Sequence, residues 1–310
     1  MEAVTEKLST PRKKMSRQKA TYLVAYLFLL PWLIGFFAFT FWPFINSLYL
    51  SFTQATLTST TFIGLQNYIE MFQDPRFLKS IEVTTKYVVM SVPLKLAMAL
   101  AVAMLLFKGS RSMSIYRTLF YLPSLIGGSI AVAVMWRKIF GLDGLWNSFL
   151  SLFGIPGKEW LGQPDYALFL LVLLVVWQFG SSMVIFLAGL KNVPTELYEA
   201  SKIDGANAVR RFFKITLPII SPIMLFNLVL QTIGSFQVFT QGYVITKGGP
   251  IDETLFSVLY IYELAFQQQR MGYASAISWM LLVLIAVVTA IIFMTSKKWV
   301  FYESETKGGK

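Results

Sequence analysis

Residues 167–222 read ALFLLVLLVVWQFGSSMVIFLAGLKNVPTELYEASKIDGANAVRRFFKITLPIISP. The run Ala167–Leu190 carries no charged side chain, and crossing the hydrocarbon core takes about 20 apolar residues. A polar, basic segment follows at 191–217, and Pro218 begins a second apolar run. Two such runs around a short basic connection describe two antiparallel spanning helices, because helices satisfy their own backbone in lipid. The fold class is therefore an all-α integral membrane protein.

The connection itself has the pattern helix, break, helix. Pro194-Thr195 gives a start signal with Thr195 as N-cap, and Glu196 and Glu199 suit the positive end of the first turn. Leu197, Ala200 and Ser201 fall on one face at three- and four-residue spacing. Gly205 ends the helix, since glycine accepts left-handed backbone. A second helix brings Val209, Phe212 and Phe213 to one side among Arg210, Arg211 and Lys214. Pro218 would open the next span at a position where its missing N–H costs nothing. The apolar stripe has two readings: it packs on its own bundle, or it seats in a partner's groove.

Working outward, 55% of the 310 residues are hydrophobic and only 14% are charged, with a mean hydropathy of +0.60. A water-soluble domain carries about 25% charged residues. Six runs are apolar enough to span: Tyr22–Phe44, Val83–Leu106, Thr118–Trp136, Ala167–Leu190, Pro218–Val238 and Tyr273–Met294. The first follows Lys7, Arg12, Lys13, Lys14, Arg17 and Lys19, yet it is longer than a signal-peptide core and lacks a small-residue cleavage site, so it reads as a retained anchor.

The basic residues orient the chain. With the N-terminus inside, segments 1–20, 107–117, 191–217 and 295–310 hold 18 Lys and Arg, against 7 in 45–82, 137–166 and 239–272. The positive-inside rule then puts both termini in the cytoplasm of a multi-pass cell-membrane protein. This distribution assigns the net charge of +11 to lipid and topology and leaves no nucleic-acid partner. Lys86 and Lys95 lie inside the second run; Lys86 is near enough to the edge to snorkel, while Lys95 is deep. A buried Lys there would pair with a carbonyl or a partner's carboxylate, or bind an anionic solute.

Cysteine and histidine are absent and only 16 Asp and Glu are present. That removes thiol nucleophiles, imidazole bases and the usual metal ligands, so the chain is not an enzyme and has no cofactor or metal of its own. The outer connections mix aromatics and charges, as in 62–80 (FIGLQNYIEMFQDPRFLKS), which predicts short interfacial helices. Gly248-Gly249-Pro250 is a turn signal, and TLFSVLYIYELAF after it predicts an amphipathic helix at the membrane surface, either packed on the spans or gating them. No internal repeat is visible, and six spans are few to enclose a path, so a second membrane subunit is expected beside the alternative of a self-contained bundle.

Glu199-Ala200-Ser201, Asp204-Gly205-Ala206 and Ile215-Thr216-Leu217-Pro218 together resemble the EAA loop of ATP-binding-cassette (ABC) importer permeases. LAGLKNVPTELYEASKIDGA is similar to the carbohydrate subfamily of maltose- and glycerol-phosphate-type membrane subunits. NYIEMFQDPRF, YRTLFYLPSLIGG, VITKGGP and MGYASAISW agree along the chain. Ser201 departs from the family's second Ala, a small-for-small exchange.

The resemblance implies a type I ABC importer permease fold. Residues 1–20 would form a cytoplasmic leader, 21–294 the permease domain with its coupling loop at 191–217, and 295–310 a cytoplasmic tail. It also implies the partners: a second homologous permease subunit, two ATPase subunits that bind ATP and Mg, and an extracytoplasmic solute-binding protein. Leu197, Glu199, Ala200, Ser201, Asp204 and Gly205 would couple to the ATPase. The chain lacks a phosphate-binding GxxxxGK[ST] loop, which agrees with ATP chemistry in the partner. The extra N-terminal spans and large outer insert of the maltose-type subunit are missing, so contacts made through them do not carry over.

Sugars are held by planar polar groups and aromatic faces. Span four offers Trp177, Gln178, Ser181 and Ser182; span five offers Asn227, Gln231, Ser235 and Gln237, with Asn227, Gln231 and Ser235 spaced by four on roughly one face. Each could instead bond between helices. In the family the solute site draws on these two spans. A stand-alone secondary transporter or channel is the rival reading; it would want intramembrane carboxylates for ion coupling, which the spans essentially lack.

Overall fold

The computed structural model describes residues 17–56, 59–107 and 111–301. Ser110, most of the basic leader and most of the C-terminal tail lie outside the described residues. Four helices are long and apolar enough to cross a membrane, and two bent pairs bring the number to six.

The first span is one continuous rod: α1 (Arg17–Phe36), a wide π-turn (Phe37–Phe41) and α2 (Trp42–Ser51). A short antiparallel hairpin follows, β1 (Thr53–Ala55) with β2 (Thr60–Phe62), and sequence patterning gave no sign of it. Asn67 of α3 (Gln66–Gln73) holds it by donating to the Ser51 and Thr53 carbonyls at 2.8 and 2.9 Å. Of the short helices expected in 62–80, α3 is one, while the rest of the segment is the start of the long helix α4 (Pro75–Phe107).

The second span, α4 (Pro75–Phe107), runs well beyond Val83–Leu106 at its N-terminal end. Its buried stripe of Val88, Val92, Leu96, Ala99 and Ala103 packs with Phe179, Met183, Phe186 and Leu190. This contact, on helical spacing, is the centre of the bundle.

The third run does not form the single helix expected over Thr118–Trp136. It breaks into α5 (Arg111–Ile126) and α6 (Ile130–Ile139), which meet at 98°. Gly127-Gly128 interrupt the helix, and Ser129 starts a new one by accepting the Val132 N–H at 3.3 Å. After α7 (Leu145–Ser151), the fourth run bends by 44° between α8 (Pro164–Trp177) and α9 (Gly180–Lys191). The two breaks touch. A Cβ on Gly180 would lie 2.3 Å from the Phe120 carbonyl oxygen, so only glycine permits this crossing.

Beyond α10 (Thr195–Ile203), the helix that becomes span five begins at α11 (Ala208–Arg211), passes through a π-turn (Phe212–Thr216) and continues as α12 (Leu217–Phe236). Pro218 therefore does not open this helix. It lies inside a continuous rod, and the widened turn before it absorbs the hydrogen bond that proline cannot donate. Asn207 caps the rod, accepting the Arg210 N–H at 2.8 Å. Span six is α14 (Met271–Ser296).

Helix α13 (Ser257–Tyr262) and its π-turn (Glu263–Gln267) follow the Gly248–Pro250 turn and pack on the spans, the first of the two readings of this segment. Leu255, Phe256, Leu259, Tyr260 and Leu264 are fully buried in the outer core with Tyr87 and Trp136. Polar ties fasten this element to α4. The Asp74 carboxylate accepts the hydroxyls of Tyr260 and Tyr273 at 2.5 and 2.8 Å. Arg76 bridges Asp252 at 2.9 Å and Glu263 at 3.2 Å. Burial pushes the Asp74 carboxyl up, but those hydroxyls and the Arg76 and Phe77 N–H groups outweigh it and hold the carboxyl below its ordinary range.

Candidate coupling surface and solute path

Helix α10 starts one residue earlier than a Thr195 cap would allow. Pro194 is the residue with extended backbone before the first turn, and the Thr195 hydroxyl makes no capping bond. The other end agrees with expectation in detail. Gly205 has φ +72°, the Ala206 N–H donates to Ser201 O at 2.9 Å and the Gly205 N–H to Lys202 O at 3.1 Å. That pair of bonds is the Schellman closure, which needs a left-handed residue at this position.

Two bonds fix the inner face of α10. Tyr198 Oη meets Thr216 Oγ1 at 2.8 Å, and Ser201 Oγ donates to the Tyr198 carbonyl at 2.8 Å. Ser201 is thus buried in this chain and does not share an outward face with Leu197 and Ala200; a three-residue step from Tyr198 sets it at the edge of the inner side. The outward face holds Glu196, Leu197, Glu199, Ala200 and Asp204, joined by Ile203, which is 87% exposed. Sequence reasoning overlooked Ile203, although its three-residue step from Ala200 marked it. Val209 and Phe213 extend the exposed apolar surface, while Phe212 is half-buried and meets Phe213 edge-on at 4.9 Å. The result is an exposed apolar surface bordered by carboxylates, on a helix closed at its C-terminus by the Schellman bonds.

The candidate path residues divide into two groups. Gln178 is buried, and its amide donates to the Gly127 carbonyl at 3.0 Å, tying the bend of span four to the break of span three. Asn227 is buried and donates to the Ser182 carbonyl at 3.1 Å. Among the described residues, its own Oδ1 and the Ser182 hydroxyl are buried without hydrogen-bond partners. The second group is open: Trp177, Ser181 and Gln231 are half-buried and Gln237 is exposed. Ser235 is buried near the C-terminal end of α12. Among the described residues, the Ser181 and Gln231 side chains make no hydrogen bond.

An aromatic series beside this span escaped the sequence reading. Phe239 and Tyr243 stack at 5.2 Å and 13°, and Tyr262 meets both at 5.2 Å, with Phe266 following at 5.3 Å. The signal was present as aromatics among glutamines in FQVFTQGY. Lys86 is exposed and pairs with Glu82 at 2.5 Å. Lys95 is only 8% exposed, and no carboxylate or carbonyl partner reaches it among the described residues. Nor do the described residues group three or more Asp or Glu that could hold a metal.

Residues 87–300 match the family described as "binding-protein-dependent transport system inner membrane component". Over 298 residues the chain is 52% identical to "Probable ABC transporter permease protein YesP" of Bacillus subtilis (strain 168), covering 94% of this chain and 96% of the relative. It is 32% identical to the lactose transport system permease protein LacF of Rhizobium radiobacter, covering 88% and 94%. A solved bacterial alginate ABC transporter, in complex with an alginate pentasaccharide-bound periplasmic protein, superposes with TM-score 0.75 at 24% identity, covering 92% and 96%. That likeness establishes the type I permease architecture.

Proposed function

Because this chain belongs to the family of binding-protein-dependent transport system inner membrane components, we propose that it forms half of an oligosaccharide path and couples to separate ATPase subunits through α10. Membership makes it a transporter permease rather than an enzyme. The carbohydrate assignment is supported by the solute in LacF's name and by the pairing of amide and hydroxyl groups with aromatic faces around span five.

The observation that carries the coupling reading is the outward face of α10. Leu197, Ala200 and Ile203 lie open there while the inner face is locked, so force applied outside is transmitted to the base of span five. Leu197, Glu199 and Ala200 contact the ATPase. Ser201, Asp204 and Gly205 shape the helix that presents them. ATP and Mg stay in the ATPase. A second permease subunit faces the open residues Ser181 and Gln231 across the solute path, where these two side chains meet the sugar, and a solute-binding protein delivers to the outer mouth. Trp177 and Gln237 meet solute there, with Ser235, Tyr243 and Tyr262. Gln178, Ser182 and Asn227 brace the wall behind them. Proteoliposomes carrying the assembled complex should accumulate labelled oligosaccharide only when binding protein and ATP are both supplied. Uptake without either one would support the stand-alone transporter instead.

Orientation follows the 18-to-7 basic bias, with the leader, the 191–217 loop and the tail in the cytoplasm. Cysteines placed at Ser110 and Thr195 should resist an impermeant thiol reagent in intact cells, whereas one at Thr60 should react. Labelling at position 110 from outside would reverse the topology.

A further inference from the structure

The inner ends of spans two and four do not close against the base of span five. Between them and α10 lies a cleft of about 380 Å³. Met104, Phe107, Leu190 and Phe212 give it apolar walls, and Lys202 and Arg211 stand on its rim. Phe107 ends α4 and Leu190 is the penultimate residue of α9, so the walls sit where the spans leave hydrocarbon and the cations just beyond.

Neither cation forms an ion pair among the described residues. Glu196, Glu199 and Asp204 are close in sequence but do not line the cleft. Beyond Arg211 a smaller hollow of about 200 Å³ adds Arg210 and Lys214, with Asp204 as its one carboxylate. The rim is therefore strongly cationic over an apolar floor. This is the inverse of a sugar site, which needs planar polar groups along its walls. It has the chemistry of a basic pocket between spanning helices, which attracts anionic headgroups.

We propose that this cleft holds one anionic phospholipid, its acyl chain against Met104, Phe107, Leu190 and Phe212 and its phosphate between Lys202 and Arg211. The lipid then joins α10 to the base of span five beside the Tyr198–Thr216 bond, whose two residues also line the cleft. The proposal is independent of which sugar is carried.

The test is native mass spectrometry of the assembled complex, transferred from nanodiscs of phosphatidylcholine with or without phosphatidylglycerol. The wild-type complex should retain phosphatidylglycerol and not phosphatidylcholine. Each cation near a membrane surface contributes about 1 kcal/mol toward an anionic lipid, so Lys202→Gln with Arg211→Gln should weaken retention about thirtyfold. The charge-preserving Lys202→Arg with Arg211→Lys should keep it, which separates lost charge from poor assembly. Arg137→Gln with Lys138→Gln, on the opposite membrane face, should change nothing. Soluble glycerol phosphate should not compete, because it leaves the apolar walls empty. Equal retention of both lipids by the wild type, or unchanged retention in the double Gln variant, overturns the proposal. So does a cysteine at Lys202 that cross-links to an ATPase side chain, since the cleft is then filled by protein. ATPase stoichiometry is read in the same spectra, so failure of the coupling assignment is seen separately.

Discussion

Gly205→Val and Ala200→Trp should each leave the subunit inserted in the membrane but release the ATPase or abolish its stimulation by loaded binding protein. The two substitutions reach this result by different physics. Gly205 holds φ +72°, and no atom lies within 4 Å of where its Cβ would be. A side chain therefore meets no clash; the cost is backbone conformation alone, about 1–2 kcal/mol and more for a β-branched residue. That strain is relieved by unwinding the closure at Ala206 N–H to Ser201 O, which re-aims α10. The spans, packed through α4 and α9, do not depend on it.

Ala200 is the complementary case. It is exposed, so tryptophan is tolerated by the chain itself and is felt only where a partner covers it. Overpacking a fitted groove costs about 1–3 kcal/mol, enough to dissociate a subunit or displace the helix. Purification from membranes, measuring the ATPase recovered and its hydrolysis with and without loaded binding protein, decides the matter. Normal stoichiometry with normal stimulation in both variants would remove α10 from the coupling path.

How far the sequence could be read depended on how local each signal was. Apolar runs disclosed where lipid-crossing helices lie because hydrophobicity needs no partner. Gly205 was legible for the same reason, since a helix terminus is set by a few neighbouring residues. The break at Gly127-Gly128 was harder: both glycines were in view, but the run stays apolar across them, and spanning helices tolerate glycine. What makes the break necessary is a different helix, whose Gln178 presses against Gly127. The three-residue strands of the hairpin have no period to detect, and their pairing is held by Asn67 from outside. The amphipathic pattern of α13 left open whether it packs on the spans or gates them, because the residues its apolar face meets, Tyr87 and Trp136, come from distant spans. Ser201 turned inward for a similar reason: the Tyr198–Thr216 bond to the base of span five fixes which side of α10 is the inner one.

Gln231→Ala and Ser235→Phe should both depress solute uptake while the complex still assembles and the binding protein still stimulates hydrolysis. Gln231 is half-buried with no hydrogen bond to the described residues, so truncating it removes no internal contact. A site built to bond a sugar hydroxyl loses about 1.5–3 kcal/mol when a charged group is removed and about 0.5–1.5 kcal/mol for a neutral amide. The alanine variant should therefore weaken uptake at low solute by roughly 2- to 10-fold. Ser235→Phe acts by volume. Ser235 lies one turn beyond Gln231 and just before the Phe239–Tyr243 stack, so a ring there intrudes on the outer mouth and should nearly abolish passage. Asn227→Ala is the contrasting substitution. It breaks the bond to the Ser182 carbonyl and empties a buried position, so it should lower the melting temperature of the complex before it alters selectivity. Transport kinetics and thermal melting measured together separate the two groups. If Gln231→Ala and Ser235→Phe leave uptake untouched, or if both act only through melting, then span five contributes packing alone and the path runs elsewhere.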